Sequence, residues 1–240
     1  RPLVEFMMSL GFDRQINCYT LVPWALKFDY YDQATNRIRF VEAKPGEAAY
    51  EDYWFSFLKD FAGHLRQKGG SENDIAMDER GKSMMQKAFD LIFRADAGYK
   101  VSGAGDYYPD RTEMYDLCLA YGHTLTIGKG RTEEGVESFY CVYLLIEAYP
   151  NTFTFSEPGE ASWLMWHAVA GGYDGYLRWA YNSWTKDPLH DSRFRSWAAG
   201  DCYLVYPGSS SIRMERLVEG IQDAEKSEYS VRSLQKWRGG

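Results

Sequence analysis

No apolar run in this chain approaches the ~20 residues that a helix needs to span a bilayer, so nothing in it reads as a transmembrane segment. Positive charge is in deficit: 27 Lys and Arg stand against 34 Asp and Glu, giving a formal net charge of −7. That balance argues against a nucleic-acid backbone as partner. Cysteine is scarce, and the four present (Cys18, Cys118, Cys141 and Cys202) show no C-x-x-C spacing. A zinc site or redox motif is therefore not indicated, and disulfides cannot be paired from the sequence. There is no Gly-rich phosphate fingerprint, no internal repeat and no low-complexity tract. A signal-peptide pattern is also missing, and Arg1-Pro-Leu-Val-Glu5 opens in mid-pattern, as a processed or truncated product would.

Aromatic residues, by contrast, are abundant at 17%, with 8 Trp and 19 Tyr. Tyr and Trp combine an apolar face with a polar tip. That combination suits sugar rings, which show C–H faces and hydroxyl edges, and it equally suits an aromatic-rich core. With 240 residues and 45% hydrophobic content, the chain is long enough for one large domain or two small ones.

The stretch Asp74-Ile-Ala-Met-Asp78-Glu79-Arg80 organises the reading. A short apolar run ends in two adjacent acids and a cation, and helix formers follow, with Met84, Ala88, Leu91 and Ile92 on one face. This is a strand (Ile75–Asp78), a loop and a helix (Gly81–Arg94). In parallel α/β proteins, ligands and chemistry collect at the carboxyl ends of strands. Successive strand side chains point to opposite faces, so adjacent acids share a pocket only where the strand is ending. The competing reading is a solvated turn.

Other elements follow the same logic. Residues 2–10 fit the end of a helix, and Gln15–Thr20 fits a buried strand. A long aromatic loop with Pro23, Trp24, Tyr30 and Tyr31 comes next. Tyr50–Gln67 is amphipathic, with Trp54, Phe57, Leu58, Phe61 and Leu65 at helical spacing, and Lys68-Gly69-Gly70 stops it. Strands are expected at Tyr99–Ala104, Phe139–Ile146, Gly175–Asn182 and Cys202–Tyr206. Leu117–Ala120 is a weaker strand candidate that fits a helix equally well, and 124–137 reads as loop. Helices are expected at Glu160–Ala170, with Trp163, Trp166, His167 and Ala170 on one side, and at Ile212–Lys226, with Met214, Leu217, Val218 and Ile221 inward. Beyond Ser227 the chain turns polar.

Alternating strands and helices imply parallel βαβ units. The expected fold class is α/β, the later part of a (β/α)8 TIM-like barrel at 1–226 with a polar tail at 227–240. A complete barrel has eight strands and ~250 residues, so its first strands are not represented. An open doubly wound sheet is the second choice.

Several stretches point the same way together: Ile16-Asn-Cys-Tyr-Thr-Leu-Val-Pro-Trp24, Asp60-Phe-Ala-Gly-His-Leu65, Ile75-Ala-Met-Asp-Glu-Arg80 and Pro150-Asn-Thr-Phe-Thr-Phe-Ser156. Asp174-Gly-Tyr-Leu-Arg-Trp-Ala-Tyr-Asn-Ser-Trp184 and Gly200-Asp-Cys-Tyr-Leu-Val-Tyr-Pro-Gly208 follow, the latter running into Ser211-Ile-Arg-Met-Glu-Arg-Leu217. The series resembles glycoside hydrolase family 123, the retaining β-N-acetylgalactosaminidases, in order along nearly the whole chain. The resemblance implies release of terminal β-linked N-acetylgalactosamine from glycans or glycolipids, with no metal and no cofactor. It also implies an N-terminal β-sandwich domain in the full-length protein and, because similar enzymes are exported bacterial proteins, an exported location.

For the acid pair the resemblance implies substrate-assisted hydrolysis, in which the sugar's own 2-acetamido oxygen attacks the anomeric carbon. Asp78 matches the group that orients the acetamide and Glu79 the general acid/base. Two close acids do not both ionise easily, which fits one of them acting as the protonated acid.

The remaining substrate-binding candidates are Trp24, Tyr107, Tyr140, Asn151, Arg178, Trp179, Tyr181, Asn182 and Trp184. Trp179 and Trp184 suit stacking on a sugar. Arg178 suits either a hydroxyl or a salt bridge. Tyr107 and Tyr140 suit hydrogen bonds to the acetamide. Asn151, like Tyr19 and Trp24, suits either a sugar contact or a turn. His64 and His167, on helices, read as structural. Gly69-Gly70 and Cys141-Val-Tyr143 depart from the family's pattern, which implies altered substrate preference or reduced activity. A β-N-acetylglucosaminidase of the same mechanism and a non-catalytic sugar-binding protein remain the alternatives.

Overall fold

A computed structural model describes residues 2–12, 15–67, 72–96, 98–105, 114–119, 137–141, 149–194 and 197–238. The side chains at 2, 15–16, 72–74, 116–119, 137–141 and 231–238 fall outside that description. The chain divides into two compact units, Arg1–Leu117 and Cys118–Gly240.

The first unit is α/β. It contains α1 (Pro2–Ser9), β1 (Gln15–Tyr19), β2 (Lys27–Asp32), β3 (Arg37–Glu42) and α2 (Ala48–Gln67). These are followed by β4 (Glu72–Met77), α3 (Lys82–Ala95) and β5 (Lys100–Gly105), and β6 (Met114–Leu119) includes the boundary. β4 lies between β1 and β5, parallel to both, with Cys18 beside Ile75 and Ile75 beside Val101. Ile75, Ala76 and Met77 are all buried, as expected of a parallel strand covered on both faces. On α3, Met85, Ala88, Phe89, Leu91, Ile92 and Ala95 are buried. On α2 the buried set is Tyr50, Leu58 and Ala62, and Phe57 is exposed, so the expected stripe turns by about one residue.

The loop expected around Tyr30 and Tyr31 is instead an antiparallel hairpin of β2 and β3. Its turn is closed by the Asp32 carboxylate, which accepts bonds from Ala34 N (3.0 Å), Thr35 Oγ1 (2.6 Å) and Arg39 Nε (2.8 Å). Such local side-chain bonds are how aspartate builds a turn. Phe28 is the hairpin's anchor. Its ring lies 5.5, 5.3 and 5.2 Å from those of Tyr50, Tyr53 and Trp54. Hairpin and α2 together line an open groove of about 670 Å³, with Tyr30, Tyr53, Trp54 and Phe57 on its walls.

The second unit holds β7 (Glu137–Cys141), α4 (Pro158–Ala170), β8 (Gly175–Leu177) and α5 (Ile212–Arg238). β7 and β8 pair in parallel, with Tyr140 beside Tyr176. Helix α4 begins with Pro158 at its first position and a reciprocal capping box between Glu157 and Glu160, which satisfies two orphan N–H groups.

The inward face of α4 is Ala161, Leu164 and Ala168, and Trp163 and Trp166, expected on one side of the helix, share its exposed side. The reason is the close approach of α5. A Cβ on Gly220 would lie 2.6 Å from the Ser162 carbonyl oxygen, so small residues face each other at the contact and the large rings point away. Ile221, expected inward on α5, is exposed, and Arg213, Leu217, Gly220 and Ala224 form the buried stripe. The polar stretch beyond Ser227, expected as a tail, continues α5 to Arg238.

Two expected strands change in the second unit. Gly175–Asn182 shortens to three residues, and Asn182 forms only an isolated antiparallel bridge to Tyr203. Cys202–Tyr206 is buried but is not a ladder strand. Its carbonyls go to scattered donors: Cys202 O accepts from Ser183 N at 3.0 Å, Tyr203 O from Arg213 Nη1 at 2.8 Å and Val205 O from Trp184 Nε1 at 2.7 Å.

The parallel strands alternating with helices are the expected α/β fold, and the described strands form no closed barrel: β1 pairs with β4 alone and leaves its other edge open. Strand 139–146 is described to Cys141, and Leu117–Ala120 to Leu119, within β6. Gly69, Gly70 and 124–136 lie outside the described residues. Among the described residues, no helix is long and apolar enough to cross a membrane.

Candidate functional site

In the first unit, β4 ends at Met77, and Asp78 and Glu79 are the first two residues beyond it, before α3 opens at Lys82. Both acids therefore sit where the alternation of the strand has stopped constraining them. They meet different surroundings. Asp78 Oδ2 accepts a 2.6 Å hydrogen bond from the Trp24 indole Nε1. Glu79 lies against the end of β5, where a Cβ on Gly105 would stand 3.4 Å from Glu79 Cγ. Gly105 has φ of +129°, a conformation that glycine tolerates and other residues rarely adopt. A bare backbone at the tip of β5 is thus what makes room for Glu79.

Trp24 is held from behind. The Arg80 guanidinium lies 4.0 Å from the centre of its ring, within the range of a cation–π contact. Arg80 Nε donates to the Val22 carbonyl at 3.1 Å, and Tyr50 Oη donates to the Leu21 carbonyl at 3.0 Å. The loop after β1 is therefore fastened by α2 and by the residue following the acids. Burial pulls the Arg80 guanidinium below its ordinary range, and the charge of Asp78 pushes it back up. Trp24 and Tyr19 are both substantially exposed.

The second unit contains a buried polar cluster around Arg178. Its Nη2 pairs with Asp201 Oδ1, and each of the two side chains has only 4% of its surface exposed. Arg178 Nε and Nη2 also donate to the Asp201 carbonyl at 3.1 and 2.9 Å. Arg178 Nη1 reaches Asn151 Oδ1 at 3.2 Å. The second Asp201 oxygen accepts from Trp179 Nε1 at 3.0 Å, and the Trp179 ring lies 5.3 Å from that of Trp197. Asn151 is fully buried, and its side-chain oxygen also accepts from Thr152 N at 2.8 Å.

Of the two roles open for Arg178, its hydrogen bonds display the salt bridge, and those of Asn151 display turn-building. Trp179 and Tyr181 are exposed, and Trp184 Nε1 donates to the Val205 carbonyl at 2.7 Å. Asn182 meets Tyr203 in the bridge described above. The Tyr176 phenol, buried beside this cluster, is pushed up by burial.

Tyr107 lies outside the described residues. Tyr140 lies on β7 with its side chain outside them. His64 is exposed on α2, and His167 on α4 is half-buried. Among the described residues, no three His, Cys, Asp or Glu side chains gather as a metal-holding group.

Two residues that the sequence did not single out prove central. Arg80 was part of the organising stretch without a role. Its signal is only that a cation follows two acids. Asp201 stands in an otherwise apolar run from Gly200 to Val205, and a charge in such a run is a sign of a buried partner.

The glycoside hydrolase 123 catalytic-domain family model matches residues 3–229. Among solved structures, a family 123 glycoside hydrolase from Clostridium perfringens, studied for glycolipid glycan hydrolysis, superposes with a TM-score of 0.87 at 27% identity. The match covers 98% of this chain and 46% of that one, so the chain spans about half the length of its structural relative. No curated protein matches.

Proposed function

The chain belongs to glycoside hydrolase family 123, and from that premise we propose that it hydrolyses terminal β-linked N-acetylgalactosamine with retention, using the substrate's own acetamide as nucleophile. The observation that carries the reading is the asymmetry of the acid pair: Asp78 accepts from the Trp24 N–H, whereas Glu79 packs against the glycine tip of β5. The Trp24 N–H fixes Asp78 as a hydrogen-bond acceptor, which suits it to receive the acetamide N–H and leaves Glu79 to supply the proton.

The steps follow from these roles. The acetamide oxygen attacks the anomeric carbon as Asp78 accepts a hydrogen bond from the amide N–H and stabilises the positive charge growing there. Glu79 gives its proton to the glycosidic oxygen, and the aglycone leaves as an alcohol. Water then attacks the anomeric carbon of the oxazolinium and gives its proton to the Glu79 carboxylate. The amide is regenerated, and two inversions give net retention. General acid–base help of this kind contributes roughly 10²–10⁴ in rate. Glycolipid glycan ends are the proposed substrate class, by likeness to the clostridial enzyme.

The test is release of the phenol from aryl β-GalNAc and aryl β-GlcNAc glycosides by the wild type, Glu79→Gln and Asp78→Asn. Release from the galacto sugar, reduced roughly 10²-fold or more in each variant, is expected. No release from either sugar would end the proposal, and release from the gluco sugar alone would transfer the same mechanism to a β-N-acetylglucosaminidase. Binding of GalNAc without turnover would favour a sugar-binding protein.

A further inference from the structure

We propose that Arg80 and Trp24 form a positioning clamp for Asp78, in which the guanidinium stacked on the indole face holds the Nε1–H against one carboxylate oxygen and leaves the other for the substrate. This inference rests on the reading of Asp78 as the group that meets the acetamide, and it adds the two residues that set its orientation.

Three observations carry it. First, the chain of contacts is continuous: Val22 carbonyl to Arg80 Nε at 3.1 Å, guanidinium to indole centre at 4.0 Å, indole Nε1 to Asp78 Oδ2 at 2.6 Å. Second, Arg80 Nη2 is buried without a hydrogen-bond partner, a situation that native structures mostly avoid and that calls for a compensating interaction. The stack of the guanidinium on the Trp24 ring is such an interaction. Third, the effect has the right sign. A cation over an indole draws electron density from the ring and so makes its N–H a stronger donor. A stronger donor holds its acceptor oxygen more firmly and so fixes the orientation of the Asp78 carboxylate.

Arg80 acts on the orientation of the carboxylate through Trp24. One face of the Trp24 ring is occupied by the guanidinium, which leaves the opposite face for any sugar contact.

Trp24→Phe keeps a ring for Arg80 and removes the N–H. Arg80→Lys keeps the charge and loses both the flat stack and the bond from Nε to Val22. Both variants are expected to lower kcat, about 10-fold for Trp24→Phe, with little change in KM. A purely structural role would lower the melting temperature and leave kcat and KM of the folded protein unchanged.

A second readout does not need turnover. In the wild type, the Trp24 indole ¹H–¹⁵N resonance, assigned by its loss in Trp24→Phe, should lie downfield as that of a hydrogen-bonded indole does. Asp78→Asn and Arg80→Lys should each move the resonance upfield. If the wild type cleaves neither sugar while the resonance responds in this way, the clamp stands and the functional reading falls. If sugar is released but resonance and kcat both ignore Arg80→Lys, the clamp is overturned.

Discussion

Removing one member of the Arg178–Asp201 pair separates a structural cation from a sugar-binding one. Both side chains are almost wholly buried, and Asp201 also holds the Trp179 indole. In Arg178→Met a carboxylate is left in the interior with one donor, Trp179 Nε1, still in place. In Asp201→Leu a guanidinium is left with carbonyl and amide acceptors but no counter-charge. Breaking a buried ion pair from one side costs about 3–5 kcal/mol. For a chain of this length, each kcal/mol lowers the melting temperature by roughly 2–4 °C, so each single variant should melt about 6–20 °C below the wild type.

The double variant leaves no uncompensated charge. What remains is the lost bonds to Trp179 and Asn151, about 1 kcal/mol each, so it should recover much of the single-variant loss. Calorimetry or urea unfolding of the four proteins reads this directly. If Arg178→Met melts within about 3 °C of the wild type, less than the lower bound above, the reasoning is refuted. If sugar binding is then also lost in a folded protein, Arg178 is a hydroxyl-binding group after all.

Other expectations follow from single contacts. Gly105→Ala places a methyl 3.4 Å from Glu79 Cγ on a backbone at φ +129°. It should lower kcat more than it raises KM, at a stability cost of about 1–3 kcal/mol. Gly220→Val meets the Ser162 carbonyl, 2.6 Å from where its Cβ would stand, and should cost about 1–3 kcal/mol or more in urea unfolding as α4 and α5 are forced apart. Tyr99, buried and donating to the Leu58 carbonyl at 2.7 Å, is pushed up to about 12, first by burial and then by Asp96. In the unfolded chain a tyrosine titrates near ~10. The folded form therefore holds its proton where the unfolded one loses it, and Tyr99's contribution is complete below pH ~10 and lost as pH rises toward 12. Tyr99→Phe should flatten the fall of stability across that window, measured by unfolding at stepped pH.

How much of this was legible depended on which physical signal each element used. The acid pair and its strand were readable because a parallel strand buried on both faces gives a continuous apolar run, and Ile75-Ala-Met77 ends abruptly at Asp78. Helix α3 was readable from its period, with Met85 and Phe89 added to the buried face. The hairpin was not, although Lys27–Asp32 and Arg37–Glu42 alternate in part, because only Phe28 among its apolar residues is strongly buried. Tyr31, Ile38 and Phe40 are exposed, so the pattern carried little information about a core.

The run 202–206 failed for a different reason. Burial in it is real, but its carbonyls are satisfied by a mixture of donors from other segments, among them Ser183 N, Trp184 Nε1 and Arg213 Nη1, and no local propensity reports that. The spacing of the α4 tryptophans put them on one side of the helix without saying which side faces inward. At a contact as close as Gly220 and Ser162, size decides. The clamp on Asp78 was the least visible feature, since Trp24, Asp78 and Arg80 meet only after β1 and β4 have paired.

Arg213 is buried on α5, and its Nη1 donates to carbonyls of Thr152, Gly200 and Tyr203 at 2.7, 2.9 and 2.8 Å. Two loop segments far apart along the polypeptide, one at Thr152 and the other at Gly200 and Tyr203, thus share one cationic rivet. Neither can loosen alone without stripping that rivet of a ligand in a place where water does not replace it. Thr154 N and Tyr206 N, bonded to Ala199 and Ser209 in the same segments, should therefore exchange their protons for deuterium with a single opening free energy. The loops of this unit behave as one cooperative body, and their tolerance to insertion is set by Arg213 rather than by their own lengths.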